Sequence, residues 1–142
     1  LINGDPLIDS RGFDELNFFK RKRVNTEIVP GVINIVKFLN NKNCLLTDRN
    51  TNSSVTLLNS SSPKKIKYIL KNIFFEKLII HIKFQDDIVF IKKLIDKINT
   101  SKKISVIYFV DGEFSNLPEI NSKNTRKFSK ATYILIRKND EV

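Results

Sequence analysis

The stretch that decides the fold is residues 78–110, LIIHIKFQDDIVFIKKLIDKINTSKKISVIYFV. It opens with a continuous apolar strand at residues 78–82 and closes with a second one at residues 104–110. Between them, residues 85–99 repeat apolar side chains at the spacing of a helix. The apolar face of that helix carries Ile88, Ile91, Leu94, Ile95 and Ile98. This order predicts two parallel strands joined by a crossover helix and covered on both sides, and therefore the α/β class.

The flanking sequence continues the alternation of helix and strand. Helices are predicted at residues 13–22, 32–39 and 64–72, with a short one at 122–128. Strands are predicted at residues 26–29, 54–58 and 131–137, and loops at 59–63 and 114–118.

Length and composition limit the class of protein. The chain has 142 residues, enough for one ordinary domain or for part of a larger fold. Its first residue is Leu1, directly inside a turn motif, so we expect a fragment of something longer. The single cysteine, Cys44, excludes an internal disulfide, and no apolar run reaches the length of a membrane span. These features predict a cytoplasmic protein with no membrane partner.

The net charge of +10 has two competing explanations. It is the sign expected of a nucleic-acid-binding protein. However, the chain contains 19 Lys, 16 Asn and 20 Ile, residues that A- and T-rich codons encode. Because codon bias supplies the charge without an acidic partner, we favour it over nucleic-acid binding.

Few residues in this sequence carry recognisable chemistry. His81 is the only histidine and lies within an apolar strand, so neither a metal site nor a histidine-based triad is predicted. No glycine-rich dinucleotide or phosphate loop is present. Asp86 and Asp87 are predicted to cap the helix that follows them. Asp111-Gly112 follows a buried strand, where open α/β sheets bind ligands.

Turn motifs with defined spacing supply the strongest functional signal. Gly4-Asp5-Pro6 forms a turn that a ligand can approach closely, because Gly4 has no Cβ. It is followed by Arg11-Gly12. Further along the chain come TEIVPGV at residues 26–32, LLTDR at 45–49 and SSVT at 53–56.

In this order, the motifs resemble those of uroporphyrinogen-III C-methyltransferases, which belong to the tetrapyrrole methylase superfamily. Residues 78–83, 106–112 and 131–142 fall where that family has its later strands and turns. The resemblance runs through the whole chain but covers only the later part of such an enzyme. It implies that residues 1–52 are the end of a first α/β domain with a linker, and that residues 53–142 are the complete second α/β domain.

The resemblance also implies a ligand and a reaction. The family binds S-adenosylmethionine (SAM) in the cleft between its two domains and methylates pyrrole carbons of uroporphyrinogen III to give precorrin-2, on the route to sirohaem or cobalamin. The implied SAM contacts are Asn3, Gly4, Asp5, Ile8, Ile33, Asn34, Ile82 and Gly112. Arg11 and Arg49 are the implied substrate contacts. A homodimer is implied, and the catalytic residues are expected upstream of Leu1, so we expect no methylation by this chain alone.

Several positions depart from the family pattern. A glycine of the first motif is Asn3, and a pair of small residues is Ile33-Asn34. The family's histidine in the LLTDR segment is Asp48, its Met-Gly is Ile82-Lys83, and an asparagine is Asp111. Two other classes of function stay open beside the methyltransferase. One is a basic nucleic-acid-binding module, whose sign would be Lys and Arg gathered on one face with exposed aromatic side chains. The other is a non-catalytic, partner-binding remnant.

Overall fold

The computed structural model describes residues 5, 8, 11–41, 43–47, 53–72, 75–98, 104–110, 113–115 and 127–138. The chain divides into two units, Leu1–Leu45 and Leu46–Val142. In the first unit the helices are α1 (Gly12–Arg21) and α2 (Asn34–Asn41). In the second the elements are β1 (Val55–Asn59), α3 (Pro63–Asn72), β2 (Lys77–Phe84), α4 (Gln85–Ile98), β3 (Ile104–Val110), β4 (Glu113–Ser115) and β5 (Lys127–Lys138).

A five-stranded mixed sheet forms the second unit, with strand order β1-β2-β5-β3-β4. β1 and β2 are parallel, whereas β5 runs antiparallel to both β2 and β3. β2 and β3 therefore point in the same direction, as the strand–helix–strand pattern predicts. They are not neighbours, because β5 lies between them.

The sequence of β5 explains its central position. Ile134 and Ile136 lie on one face of the sheet and Tyr133 and Leu135 on the other, and all four are buried. A strand that is apolar on both faces is stable only where both faces are covered. β5 is longer than the prediction of residues 131–137, and it includes Phe128, which the predicted short helix at 122–128 contained.

The main core lies between the sheet and helices α3 and α4. Three of the five apolar residues predicted for α4, Ile88, Ile91 and Ile95, are at most 2% exposed, and Leu94 and Ile98 pack against them. The prediction of a buried α4 face is confirmed. The strands contribute Leu78, Ile80, Ile82, Ile104, Tyr108, Ile134 and Ile136 to this core. Burial, together with the negative charge of Asp96, raises the pKa of the Tyr108 hydroxyl above its ordinary value.

The two helices of the first unit agree with prediction, but the strand does not. Residues 24–33 form neither helix nor strand, so the predicted strand at 26–29 is wrong. A strand needs a hydrogen-bonding neighbour, and the described residues of this unit supply none. α2 begins two residues later than predicted and leaves Val32 exposed. The helix ends at Asn41, and beyond it Asn43 is in the left-handed region. The Asn43 and Cys44 N–H groups donate to the Asn40 and Leu39 carbonyls and so satisfy acceptors of the last turn.

Two further observations concern the end of the sheet and the length of the helices. Phe114, predicted in a loop, belongs to β4, which pairs with β3. The centroids of the Phe114 and Phe109 rings are 4.0 Å apart. Residues 116–118 and 122–126 lie outside the described residues. No helix in the described part of the chain has the length and apolar character to cross a membrane.

The core assignment predicts how two adjacent residues of α4 respond to truncation. Ile91→Ala removes a side chain that is 1% exposed, and we expect a loss of about 2–5 kcal/mol in the free energy of unfolding. Phe90→Ala is the control, because Phe90 is 41% exposed, and its loss should stay within about 1 kcal/mol. Urea unfolding followed by circular dichroism measures both. Equal losses would contradict the packing of α4 described here.

Candidate functional site

Asp5 of the first turn motif is linked to the second motif of the same unit. Its Oδ2 accepts a hydrogen bond from the Gly31 backbone N–H at 3.2 Å, across 26 residues of sequence. Asp5 is half-buried. Asp5 of the first motif and Gly31 of the Val-Pro-Gly segment, which directly precedes the implied donor contacts Ile33 and Asn34, therefore meet in the structure.

The two residues after the Val-Pro-Gly segment stand at the start of α2. Asn34 is the first helical residue, Ile33 directly precedes it, and both are half-buried. The Ile33 carbonyl accepts the Val36 N–H at 3.0 Å, which closes the first turn of the helix. The bond from Gly31 to Asp5 therefore fixes the backbone immediately before the start of a helix, where N–H groups favour negative ligand atoms.

Ile8 and Arg11 lie between the turn motif and α1. Ile8 is 44% exposed, and Arg11 is exposed at the N-cap position of α1. The Arg11 side chain makes no capping hydrogen bond, while its carbonyl accepts the Glu15 N–H at 3.1 Å. The structure thus assigns the Arg11 guanidinium no role in capping α1, and its exposure leaves it accessible to a dissolved anion.

The second unit brings three strand ends to one edge of its sheet. β1, β2 and β3 point the same way, so Asn59, Phe84 and Val110 end at the same edge. This carboxyl edge is where open α/β sheets bind ligands. Gly112, two residues beyond β3, lies outside the described residues.

Ile82 lies near this edge but its side chain faces the core. It is 1% exposed and belongs to the cluster covered by α3 and α4. A ligand at this position would therefore contact its backbone or the next residue, Lys83, and not the isoleucine side chain. Lys83 is half-buried and stands where the family has a glycine.

A polar cluster that the sequence did not predict holds this edge together. Ser60, which is 5% exposed, follows β1, and its Oγ donates to Asp87 Oδ2 at 2.5 Å. The Lys83 N–H donates to Ser60 Oγ at 3.2 Å, and the Phe84 N–H donates to Asp87 Oδ2 at 3.3 Å. Asp87 thus caps α4, as predicted, and also ties β1 to the helix. The sequence feature that could have indicated this contact was a serine directly after a predicted strand, together with an acidic residue in the first turn of a later helix.

The segment that resembles Leu-Thr-His-Arg is attached to the sheet by a buried lysine. Lys77 is 3% exposed, and its Nζ donates to the Leu46 carbonyl at 3.0 Å. A buried ammonium group needs such an acceptor. Asp48 and Arg49 of the same segment lie outside the described residues.

The Ser-Ser-Val-Thr segment has a clear structural role. Glu76 accepts hydrogen bonds from the Ser54 N–H at 2.6 Å and from the Ser54 and Ser53 hydroxyls at 2.9 and 3.3 Å. The Ser54 bonds, backbone first, hold the pKa of the Glu76 carboxyl below its ordinary value. These bonds fasten the entry of β1 to the start of β2.

His81 contributes no metal site in the described part of the chain. Its ring stacks on the Tyr133 ring with centroids 4.9 Å apart, and the described residues contain no group of three potential metal ligands. Its carbonyl accepts the Ser60 N–H at 2.9 Å. The contact with Tyr133 on the neighbouring strand gives His81 a structural role in the sheet.

The predicted site residues are therefore distributed as follows. Asp5, Ile8, Arg11, Ile33 and Asn34 belong to the first unit and Ile82 to the second. Asn3, Gly4, Arg49 and Gly112 lie outside the described residues. The convergence of Gly4, Ile82 and Gly112 on one cleft stays a prediction.

Comparison with known proteins identifies the fold. No protein-family model matches this chain, and a search of curated proteins finds no relative. A solved uroporphyrin-III-C-methyltransferase from Thermus thermophilus superposes with a TM-score of 0.62 at 17% identity, over 95% of this chain and 60% of that chain. This chain has the tetrapyrrole-methylase fold. The α/β class and the fold predicted from the motifs are confirmed.

Two further structures support the assignment of the fold. The Thermus thermophilus uroporphyrin-III C-methyltransferase complexed with S-adenosyl homocysteine gives a TM-score of 0.55 at 18% identity, over 93% of this chain and 62% of that one. Its native form gives 0.52 at 17% identity, over 93% and 61%. The chain thus spans about three fifths of the length of each of these structures.

The carboxyl-edge cluster predicts different responses of neighbouring polar residues. Ser60→Ala leaves the partly buried Asp87 without its shortest hydrogen bond, and we expect a loss of about 1–3 kcal/mol in unfolding free energy. Ser61→Ala is the matched control because Ser61 is exposed and its change should cost less than about 0.5 kcal/mol. Urea unfolding measures both. A loss in Ser60→Ala no larger than in its control would show that the cluster does not hold the edge.

The Glu76 bonds predict a dependence of stability on pH. Because folding lowers the pKa of Glu76, its carboxylate stabilises the native state at neutral pH, and this contribution is lost as pH falls below 4.5 through the lowered pKa. The difference in unfolding free energy between the wild type and Glu76→Gln should therefore shrink between pH 6 and pH 3. Urea titrations across this range test it, with Glu15→Gln as the control. A difference that stays constant down to the lowest pH would contradict the assignment.

Proposed function

We propose that this chain binds S-adenosylmethionine and serves the C-methylation of a tetrapyrrole, with uroporphyrinogen III as the substrate and precorrin-2 as the product. The fold supports the first step of this proposal. The three similar structures described above are uroporphyrin-III C-methyltransferases, and one of them was crystallised with S-adenosyl homocysteine. A homodimer in the cytoplasm, on the sirohaem or cobalamin route, is the setting that the motif resemblance implies.

The observation that carries the proposal is the hydrogen bond from Gly31 to Asp5. Two separate motifs of the resemblance are both assigned to the methyl donor, and this bond joins them directly. A bond between segments 26 residues apart fixes the backbone of each relative to the other. We assign Asp5 the role of a positioning residue that holds Gly31, and through it the start of α2, in place.

The described residues fit the donor as follows. The start of α2 offers backbone N–H groups to a carboxylate such as that of the methionine part of SAM. Ile33 and Asn34 are half-buried there, so they can contact a ligand while staying anchored. The bulk of Ile33, in place of a small residue, narrows the space available to the donor.

The acidic substrate is complementary in charge to basic residues of this chain. Uroporphyrinogen III carries eight carboxylates, and the proposal assigns Arg11 and Arg49 to them. Lys83, at the carboxyl edge of the sheet, adds a cation in place of the family's glycine. SAM supplies an electrophilic methyl group: a pyrrole carbon attacks it, the bond from sulfur to methyl breaks to release S-adenosylhomocysteine, and the tetrapyrrole gives up a proton. The contribution of the protein is alignment of the two reactants, and small misplacements reduce the rate steeply.

Calorimetric titration of the 142-residue chain tests donor binding. We expect saturable binding of S-adenosyl homocysteine and SAM, and about tenfold weaker binding by Asp5→Ala, because loss of one charge-assisted hydrogen bond costs about 1.5 kcal/mol. Asp5→Asn keeps an acceptor oxygen and should bind more tightly than Asp5→Ala. Asp14→Ala, an exposed acid in the first turn of α1, removes the same charge and should bind like the wild type.

Two results would overturn the proposal. Absence of saturable binding by the wild type would exclude a donor site in this chain. Equal weakening by Asp5→Ala and Asp14→Ala would show that only net charge matters and that the Asp5 bond does not organise the site. If the donor binds, calorimetric titration with uroporphyrinogen III tests the substrate, whereas incubation of this chain with uroporphyrinogen III and SAM is expected to give no absorbance of methylated products.

A further inference from the structure

The outer face of α3 gathers three lysines around one tyrosine. Lys64, Lys67, Tyr68 and Lys71 recur every three or four residues, so they share one side of the helix. All four are exposed, and Tyr68 is 61% exposed. We call these four residues the α3 lysine face.

No acidic side chain interrupts this face along the chain. Between Arg49 and Phe75 the sequence contains no Asp or Glu, and α3 adds a fourth cation, Lys65, at the margin of the face. The helix packed beside it, α4, carries Asp86 and Asp96 on its exposed surface. It also carries Lys92, Lys93 and Lys97, so the neighbouring surface does not neutralise the face.

The opposite side of α3 packs against the core. Ile66 and Leu70 are at most 1% exposed and pack against the sheet and α4. The helix has no second apolar side to insert into a bilayer, which disfavours a membrane surface as the partner. Because Ile66 and Leu70 attach the helix to the core, the lysines and the tyrosine lie on its solvent-facing side.

We propose that the α3 lysine face binds single-stranded nucleic acid. Ammonium groups at helical spacing, about 5–6 Å apart at their Cβ atoms, suit the successive phosphates of one strand. The exposed ring of Tyr68 lies among them and offers a surface on which a base stacks. Aromatic stacking flanked by cations is the recurring means by which proteins hold single strands without reading a particular sequence.

Fluorescence anisotropy with labelled oligo(U) and oligo(dT) of about 16 nucleotides tests this proposal. We expect both strands to bind the full chain, with affinity falling as salt rises. The variant Lys64→Gln/Lys67→Gln/Lys71→Gln should bind at least about tenfold more weakly and reduce the salt slope by about 2, because each phosphate contact on a single strand contributes about 0.7. Comparison of the two probes tells whether RNA or DNA is preferred.

The matched control removes the same charge elsewhere. Lys20, Lys22 and Lys37 are exposed in the first unit, and their replacement by Gln should leave affinity within about twofold of the wild type after the small change in net charge. Tyr68→Ala should weaken binding by about tenfold, whereas Tyr68→Phe keeps the stacking surface and should bind normally. Circular dichroism verifies that each variant is folded.

Three outcomes would overturn the proposal. One is an equal loss of oligonucleotide affinity in the two triple variants, which would show that only the net charge of the chain matters. The second is an unchanged affinity in both Tyr68 variants, which would show that no base stacks on the Tyr68 ring. The third is binding to phosphatidylserine vesicles with none to either oligonucleotide, which would make a membrane the partner.

Discussion

The pairing of β5 with both β2 and β3 is the constraint on which the second unit depends. Ile80 lies opposite Ile134 in one ladder, and Tyr108 lies opposite the same residue in the other. Without β5, β2 and β3 have no common neighbour, and their carboxyl ends would not be held at one edge. Because β5 is the last described strand, its pairings join residues that are far apart in sequence. The chain entropy lost in forming these pairings is recovered only when the core against α3 and α4 is buried.

The parts of the fold that could be predicted are those whose information is local. The apolar run at 104–110 coincides with β3, and the spacing of Ile88, Ile91 and Ile95 identified the buried side of α4. The insertion of β5 between two strands could not be predicted, since alternation along a strand does not specify which strand pairs with it. The Thr26–Val29 segment has strong strand propensity, yet it stays irregular because no described residue of its unit pairs with it.

The same distinction applies to the candidate site. The motif spacing indicated that Asp5 and the Val-Pro-Gly segment serve one ligand, but not that Asp5 Oδ2 would bond to Gly31. Ser60 was part of a predicted loop, and nothing in a serine-rich loop specifies that one hydroxyl is buried against Asp87. Such long-range polar contacts depend on how the elements pack, and a motif becomes informative about them only through its resemblance to a known fold.

The positive charge illustrates how composition and fold act at different levels. A bias toward A- and T-rich codons explains how many lysines the chain has, but it does not determine which environment each one occupies. Lys77 is buried and bonded to a carbonyl, where it fastens a segment to the sheet. Lys64, Lys67 and Lys71 instead share one exposed side of α3, and Ile66 and Leu70 lie buried on the other. A random scatter of lysines over α3 would place some of them toward the core, where an unpaired ammonium group is costly. Folding therefore separates the lysines into a structural cation such as Lys77 and exposed cations such as those of the α3 lysine face, and only the second kind is available to a partner.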